Sequence, residues 1–367
     1  MHPVLRAAVR PVQAVPVALA VLALPAAHAQ DSAAAVRVGA FVDAYFAWDA
    51  GRPDPPDRPY ATQAVRHDEF NVNLAFVEAV VARRRVHGRL ALQAGTSVQS
   101  NYAAEPENGT VSGDDLSRHI QEAWAGIRLA EGLWLDGGIY FSHVGLESWI
   151  SRDNLTYTRS ISAEFTPYYQ AGARLSWAAT SALALQLHLV NGWQNIAESN
   201  GDKAVGLRAD WTVTDHVVLA YANFLGREGP VGEDAGFRGF HQLMAKFSTG
   251  SLETALTGDL GTQSRPGGDA TWWSATLVGR YRLSDRVAVN GRLERYADPD
   301  GAIVATGLPD AFETSGASLG LDLILPEGVL WRTELRGFRG DGPIYPDAGE
   351  PPRRDGGFVV TSLALTL

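Results

Sequence analysis

The chain of 367 residues contains no cysteine. This excludes disulfides, thiolate metal sites and cysteine nucleophiles together, and it suits a protein that crosses an oxidising periplasm unfolded. Lysine is nearly absent as well. Lys203 and Lys246 are the only two, and arginine carries the remaining positive charge. With 31 Lys and Arg against 41 Asp and Glu, the net charge is −10, which offers no electrostatic footprint for a nucleic acid. Long apolar runs are missing too, since a spanning helix needs about 20 such residues. At 46% hydrophobic residues, a membrane protein of this kind has to be a barrel rather than a helical bundle. No G-x-S-x-G, H-E-x-x-H or phosphate-cradling glycine loop occurs. The nine histidines, His241 among them, lack metal-ligand spacing, so neither a metal nor a cofactor is expected.

Residues 1–29 read as a cleavable secretory signal. Arg6 and Arg10 supply a positive start, Val15 to Leu24 a short apolar stretch, and Ala27-His28-Ala29 a cleavage site before Gln30. Both of those arginines leave with the signal, so the mature chain, 30–367, carries about −12. No cysteine follows the signal to make a lipoprotein. A single exported domain is therefore expected.

From Gln30 onward the pattern has period two, and the intervals between strands alternate between short and long. Transmembrane strands take about 9–11 residues each, with tight periplasmic turns at one end and longer loops at the other. The strands expected are Val36–Trp48, Glu69–Ala82, Gly88–Tyr102, Arg118–Ala130, Leu133–His143, Tyr168–Ala178, Ala182–Trp193, Lys203–Val213, Val217–Gly226, Gly236–Ser248, Leu252–Thr262, Ala270–Leu283, Val287–Ala297, Phe312–Leu325, Val329–Phe338 and Asp355–Leu367. The reading is an all-β, transmembrane, antiparallel up-and-down β-barrel of about 16 strands, with 14 or 18 if one hairpin is merged or split. Seven short turns and eight longer loops put both termini on the short-turn side, as an outer-membrane barrel requires. In the second strand Phe70, Val72, Leu74 and Phe76 would share a face with Glu78, so a bulge there or a slot at the membrane rim is expected.

A soluble sandwich would also alternate, and the aromatics weigh against one. Trp134, Trp177, Trp211 and Trp331 fall near short turns, whereas Phe46, Trp48, Phe141, Trp193, Trp272 and Phe338 fall near long loops, the layout of two interfacial girdles. An arginine on the lipid face near the midplane costs roughly 2–4 kcal/mol, so strand charges should point inward. The expected lumenal set is Asp136, Arg174, Arg208, Asp210, Asp259, Arg280, Arg282, Arg292, Glu294, Asp322, Arg332, Glu334 and Arg336, with Gly138, Gly172, Gly206 and Gly320 leaving space between them. About sixteen strands enclose an aqueous channel where eight would not. Both signs occur in the set, which argues against strong selectivity. These charges could instead pair into a plug that conducts nothing.

Specific stretches resemble a known family: Ile120-Gln121-Glu122-Ala123-Trp124, Asp153-Asn154-Leu155-Thr156-Tyr157-Thr158-Arg159-Ser160, Pro167-Tyr168-Tyr169-Gln170-Ala171-Gly172, Val190-Asn191-Gly192-Trp193-Gln194-Asn195, and the earlier Ala40-Phe41-Val42-Asp43-Ala44-Tyr45 and Asn71-Val72-Asn73-Leu74-Ala75. In order and spacing they are similar to the OmpL-like β-barrel porin family of Gram-negative bacteria, over about residues 36–215. The resemblance implies a single-chain outer-membrane barrel, a diffusion channel for small hydrophilic solutes, and supplies neither substrate nor catalytic residues. Outer-membrane lipid, lipopolysaccharide and the barrel-assembly machinery are the partners it implies. The chain departs from the usual aromatic C-terminus by ending in Leu367. A homotrimer built on the apolar Leu183, Leu185, Leu187 and Leu189 face is a further expectation, which lipid contact would explain equally well.

The connection Val144–Pro167 is the third long loop, the position at which sixteen-stranded porins fold a loop into the lumen, so it is expected either to form the constriction or to be an ordinary surface loop. Its candidate selectivity charges are Glu147, Arg152, Asp153, Arg159 and Glu164. Two rival functions stand beside a channel. A barrel hydrolase would need a serine and a histidine in contact, and the adjacent Ser142 and His143 point to opposite faces of a strand. A non-conducting adhesive barrel would use the acidic, Pro/Gly-rich loops at 49–67, 103–117 and 298–311.

Overall fold

The computed structural model describes residues 35–110, 112 and 117–367. The signal assigned to residues 1–29 lies outside them. The alternating segments form sixteen antiparallel strands that close into a barrel, each hydrogen-bonded to its neighbours in chain order. The last barrel strand, Asp355–Thr366, pairs with Val329–Gly340 on one side and with the first strand, Ala35–Asp49, on the other. Closure leaves no unpaired backbone edge, which a hydrocarbon environment demands because it offers no water to unpaired N–H and C=O groups.

The expected strands Glu69–Ala82 and Gly236–Ser248 are reproduced. Other limits move by at most three residues, with one exception. The third strand ends at Ala94 rather than Tyr102, and Thr96–Tyr102 is a helix. Gly95 causes the break: its φ is +141°, and a Cβ there would run into the Asn73 backbone carbonyl. The chain thus leaves the wall and turns inward, where Tyr102 stacks on Tyr169 at 4.2 Å. The loop after Gly340 also holds a small unforeseen hairpin, Tyr345–Asp347 with Glu350–Arg353.

The bulge expected in the second strand lies at Asn73. Asp43 opposes Leu74 while Ala44 opposes Val72, so Asn73 is the extra residue. Phe70 consequently faces outward, 86% exposed, while Asn73 and Leu74 are both fully buried. Beyond the bulge Phe76 and Glu78 point inward, and Glu78 pairs with Arg89 at 2.7 Å.

Two faces follow from the alternation. The outer wall exposes Leu243, Leu277, Leu293, Leu319 and Leu335, whereas Arg292 on the strand of Leu293, and Glu334 and Arg336 on the strand of Leu335, are buried. Girdle aromatics stand outside at both ends: Trp177, Trp211 and Trp331 near short turns, and Trp48, Phe70, Phe237 and Trp273 near long loops. Four of the aromatics expected in the girdles point inward instead. Trp134 stacks on His87 at 4.0 Å, and Trp193, Trp272 and Phe338 pack in the interior with Phe224, Phe240 and Tyr345. Parity within each strand carried that information: Trp134 shares a face with Asp136, Trp272 with Arg280, and Phe338 with Arg336.

Candidate functional site

The third long loop, between strands Leu133–Phe141 and Tyr169–Ala178, crosses the barrel interior. At its start, Arg208 Nη1 donates to the His143 carbonyl at 2.7 Å, and the Gly145 N–H donates to Gln242 Oε1 at 2.8 Å. Further on, the Ser151 hydroxyl donates to Asp43 Oδ2 at 2.8 Å, and Arg332 donates to the Ser151 and Leu155 carbonyls. Arg152 reaches Thr366 on the closing strand. Thr158 then binds Glu334 through both its N–H, 2.7 Å, and its hydroxyl, 2.9 Å. The Ile161 N–H donates to Glu294 Oε2 at 2.7 Å, and Ser162 binds Asp259. The loop is therefore fastened to walls on opposite sides of its own origin.

Two other loops brace it. The Thr62 N–H of the first loop donates to Glu164 at 2.8 Å, and Gln63 Nε2 donates to the Trp149 carbonyl at 2.8 Å. From the second loop, Tyr102 meets Trp149 edge-on at 6.1 Å. An apolar core completes the filling, with Val144 and Ile161 of the loop against Tyr140, Phe224, Phe240 and Tyr296 of the wall.

All thirteen charges of the expected lumenal set lie on the inner face, and twelve are ion-paired. Arg292 is the hub, with Glu334 at 3.0 Å and Glu294 and Glu147 both at 3.4 Å. Arg336 binds Glu294 at 2.6 Å, and Arg332 binds Asp322 at 2.9 Å. Arg280 spans Glu253 and Asp322, and Arg282 lies 4.0 Å from Glu253. Arg174 and His87 share Asp136, and Arg208 holds Asp210 at 2.8 Å. Asp259 instead takes neutral partners, Ser162, Ser274 and Gln242.

The loop charges separate into two groups. Glu147, Arg159 and Glu164 are inward fasteners. Arg159 is 3% exposed, sits over the Tyr168 ring at 3.2 Å and donates to the Ala163 carbonyl at 2.6 Å, and burial lowers its guanidinium to about 10. Only Asp153 is exposed, with Arg152 beside it half-buried. The glycines expected to open space do the opposite. A Cβ on Gly206 would meet the His143 ring, one on Gly320 the Asn290 amide, and one on Gly138 or Gly172 the backbone of the adjacent strand. Sequence reasoning passed over Asp43, which binds Asn73, Ser151 and Tyr157. An aspartate amid Phe41, Val42 and Tyr45 was the available signal.

Ser142 and His143 serve different neighbours. The serine hydroxyl accepts from the Val144 N–H, and the His143 ring lies 2.8 Å from the Gln170 amide and 2.7 Å from the Asn223 carbonyl. Burial depresses His143 to about 4, with Arg208 and Arg174 opposing its charge further. Between that value and the free-histidine pKa of about 6.5 the unfolded chain binds the extra proton. Stability is therefore expected to fall as pH drops from 6.5 to below 4, by up to about 3 kcal/mol at 1.36 kcal/mol per unit. Chemical unfolding in detergent at pH 7 and pH 4 checks this; a His143→Gln variant losing as much as wild type on acidification would assign the loss elsewhere.

A model of the family described as putative beta-barrel porin-2, OmpL-like, matches residues 35–367, extending the likeness over the second half of the barrel. No curated protein matches the chain in sequence. Among solved structures it is similar to the trimer form of OmpT, an outer membrane protein of Vibrio cholerae, with TM-score 0.61, 8% identity, and coverage of 92% of this chain and 100% of that one. It is also similar to an anion-selective porin from Comamonas acidovorans, at 0.58, 11%, 91% and 100%, and to OprB of Pseudomonas putida, at 0.59, 9%, 90% and 94%. At these identities the likeness is one of fold.

Proposed function

Because the chain belongs to the OmpL-like beta-barrel porin-2 family, we propose that this outer-membrane barrel is a weakly selective channel for passive diffusion of small hydrophilic solutes or ions, with its third long loop as the constriction. The observation that carries the reading is the course of that loop across the interior, fastened from Gly145 to Ser162. Passage past such a loop is governed by the few charges left in contact with water. These are Arg152 and Asp153, while Arg159, Glu147 and Glu164 hold the loop in shape. Weak selectivity fits a wall whose arginines and carboxylates nearly balance and neutralise one another.

A second reading, a closed barrel that conducts nothing as it stands, is favoured by one observation: the paired wall charges around Arg292 are buried together with the loop. Single-channel recording of the refolded protein in planar bilayers separates the two. Steps of porin size are expected, with a reversal potential near zero under a salt gradient that moves toward cation preference in Arg152→Gln. Silence would leave the closed barrel. A homotrimer through the Leu183–Leu189 face is proposed alongside, in keeping with the trimer form of the Vibrio cholerae neighbour.

A further inference from the structure

Charge is spread unevenly over the short turns that close the periplasmic end. The turn joining strands Glu69–Ala82 and Val86–Ala94 consists of Arg83, Arg84 and Arg85, all exposed. The Arg128 backbone N–H donates to the Arg85 carbonyl at 2.9 Å and ties the turn to the neighbouring strand, where the Arg128 side chain shares the inner face with Trp134. Among the described residues no carboxylate is paired with any of the three turn arginines. The nearest acidic turn residue in sequence, Glu131, is exposed as well. The turns Thr214-Asp215-His216, Thr249-Gly250-Ser251, Ser284-Asp285-Arg286 and Pro326-Glu327-Gly328 contribute one arginine against Asp215, Asp285 and Glu327. In a chain of net charge −10, this cluster is a local exception that the barrel's own carboxylates do not neutralise.

We infer that Arg83, Arg84 and Arg85 form a binding site for anionic phospholipid headgroups in the leaflet facing the periplasm, an inference that rests on the outer-membrane barrel reading. Two features of the site select a lipid over a soluble polyanion. The strands around the turn present an outward apolar wall, with Val86 next to the arginines and Leu90, Ile127 and Leu129 also exposed, so acyl chains and headgroup are met together. The cations are all arginine, whose planar fork matches a phosphate with two parallel hydrogen bonds where lysine offers a point charge. Each arginine near an anionic surface strengthens binding by roughly fivefold, so the three turn residues together are worth on the order of a hundredfold.

The test uses the full refolded barrel in phosphatidylcholine vesicles, with or without phosphatidylglycerol, and native mass spectrometry of the lipids retained on extraction. Wild type is expected to retain phosphatidylglycerol over phosphatidylcholine. Arg83→Gln/Arg84→Gln/Arg85→Gln is expected to lose that preference by ten- to a hundredfold, and Arg286→Gln on a distant turn to keep it. Equal retention of both lipids by wild type overturns the proposal, as does an equal loss in Arg286→Gln. So does a triple variant that keeps its lipid preference while losing binding to isolated peptidoglycan sacculi, which would assign the arginines to a cell-wall partner. Lipid retention is read whether or not the barrel conducts, so silence in planar bilayers does not bear on this result.

Discussion

Replacing Arg292 with methionine is expected to destabilise the barrel by about 3–5 kcal/mol and to loosen the loop that crosses it, because removing one member of a buried ion cluster strands the others. Arg292 is 2% exposed and lies among Glu147, Glu294 and Glu334. It also donates to the Thr156 hydroxyl at 2.9 Å and the Thr158 carbonyl at 2.8 Å. No other cation approaches Glu147 or Glu334 within ion-pair distance among the described residues, whereas Glu294 keeps Arg336. Denaturant unfolding measures the loss, and limited trypsin digestion reports the loop, since Arg152 and Arg159 lie within it. A variant as stable as wild type, with the loop still protected, would contradict the hub role. Adding Glu334→Leu to Arg292→Met is expected to restore part of the stability by removing a stranded charge.

Excising the loop is expected to raise single-channel conductance on the order of tenfold, because a barrel of about sixteen strands encloses an aqueous channel once nothing fills it. The cut can be made between residues 146 and 165 with a short Gly/Ser linker. Phe141 and Tyr169 already face each other across the hairpin, so the ends need no new geometry. Arg292 keeps Glu294 and Glu334, Arg332 keeps Asp322, and Arg336 keeps Glu294, so the wall does not acquire unpaired charge. Heat-modifiable migration confirms that the barrel has closed. A folded, excised barrel that conducts no better than the intact protein would show that the first and second loops, or the apolar filling around Phe240 and Trp272, form the barrier.

Which side chains face lipid was legible in the sequence. Leu335 between Glu334 and Arg336, or Leu293 between Arg292 and Glu294, can be assigned without any knowledge of the neighbouring strands. Burying an arginine in hydrocarbon is so costly that parity along one strand decides the matter. The bulge was legible for the same reason, since Phe70 and Glu78 cannot share a face of an uninterrupted strand. The girdle assignments of Trp134, Trp272 and Phe338 failed because parity, and not position near a strand end, decides the face, and that of Trp193 failed because its strand stops at Val190, before parity can reach it. The helix Thr96–Tyr102 was hidden because its residues continue the polar and apolar alternation of the strand before it, and the break depends on the conformation of Gly95.

The destination of the third loop was beyond the sequence. Ser151 finds Asp43, Thr158 finds Glu334, and Ser162 finds Asp259, partners about one hundred residues or more away. None of these pairings leaves a periodic or compositional trace. Strand number, closure and the two faces were fixed by local rules: a backbone with period two, a solvent that excludes charge, and turns too short to do anything but reverse the chain. What fills the interior was decided only by the folded barrel, because an inward charge satisfies the membrane equally well beside water or beside another side chain. The choice between them rests on which loop residues the closed wall brings within hydrogen-bond reach.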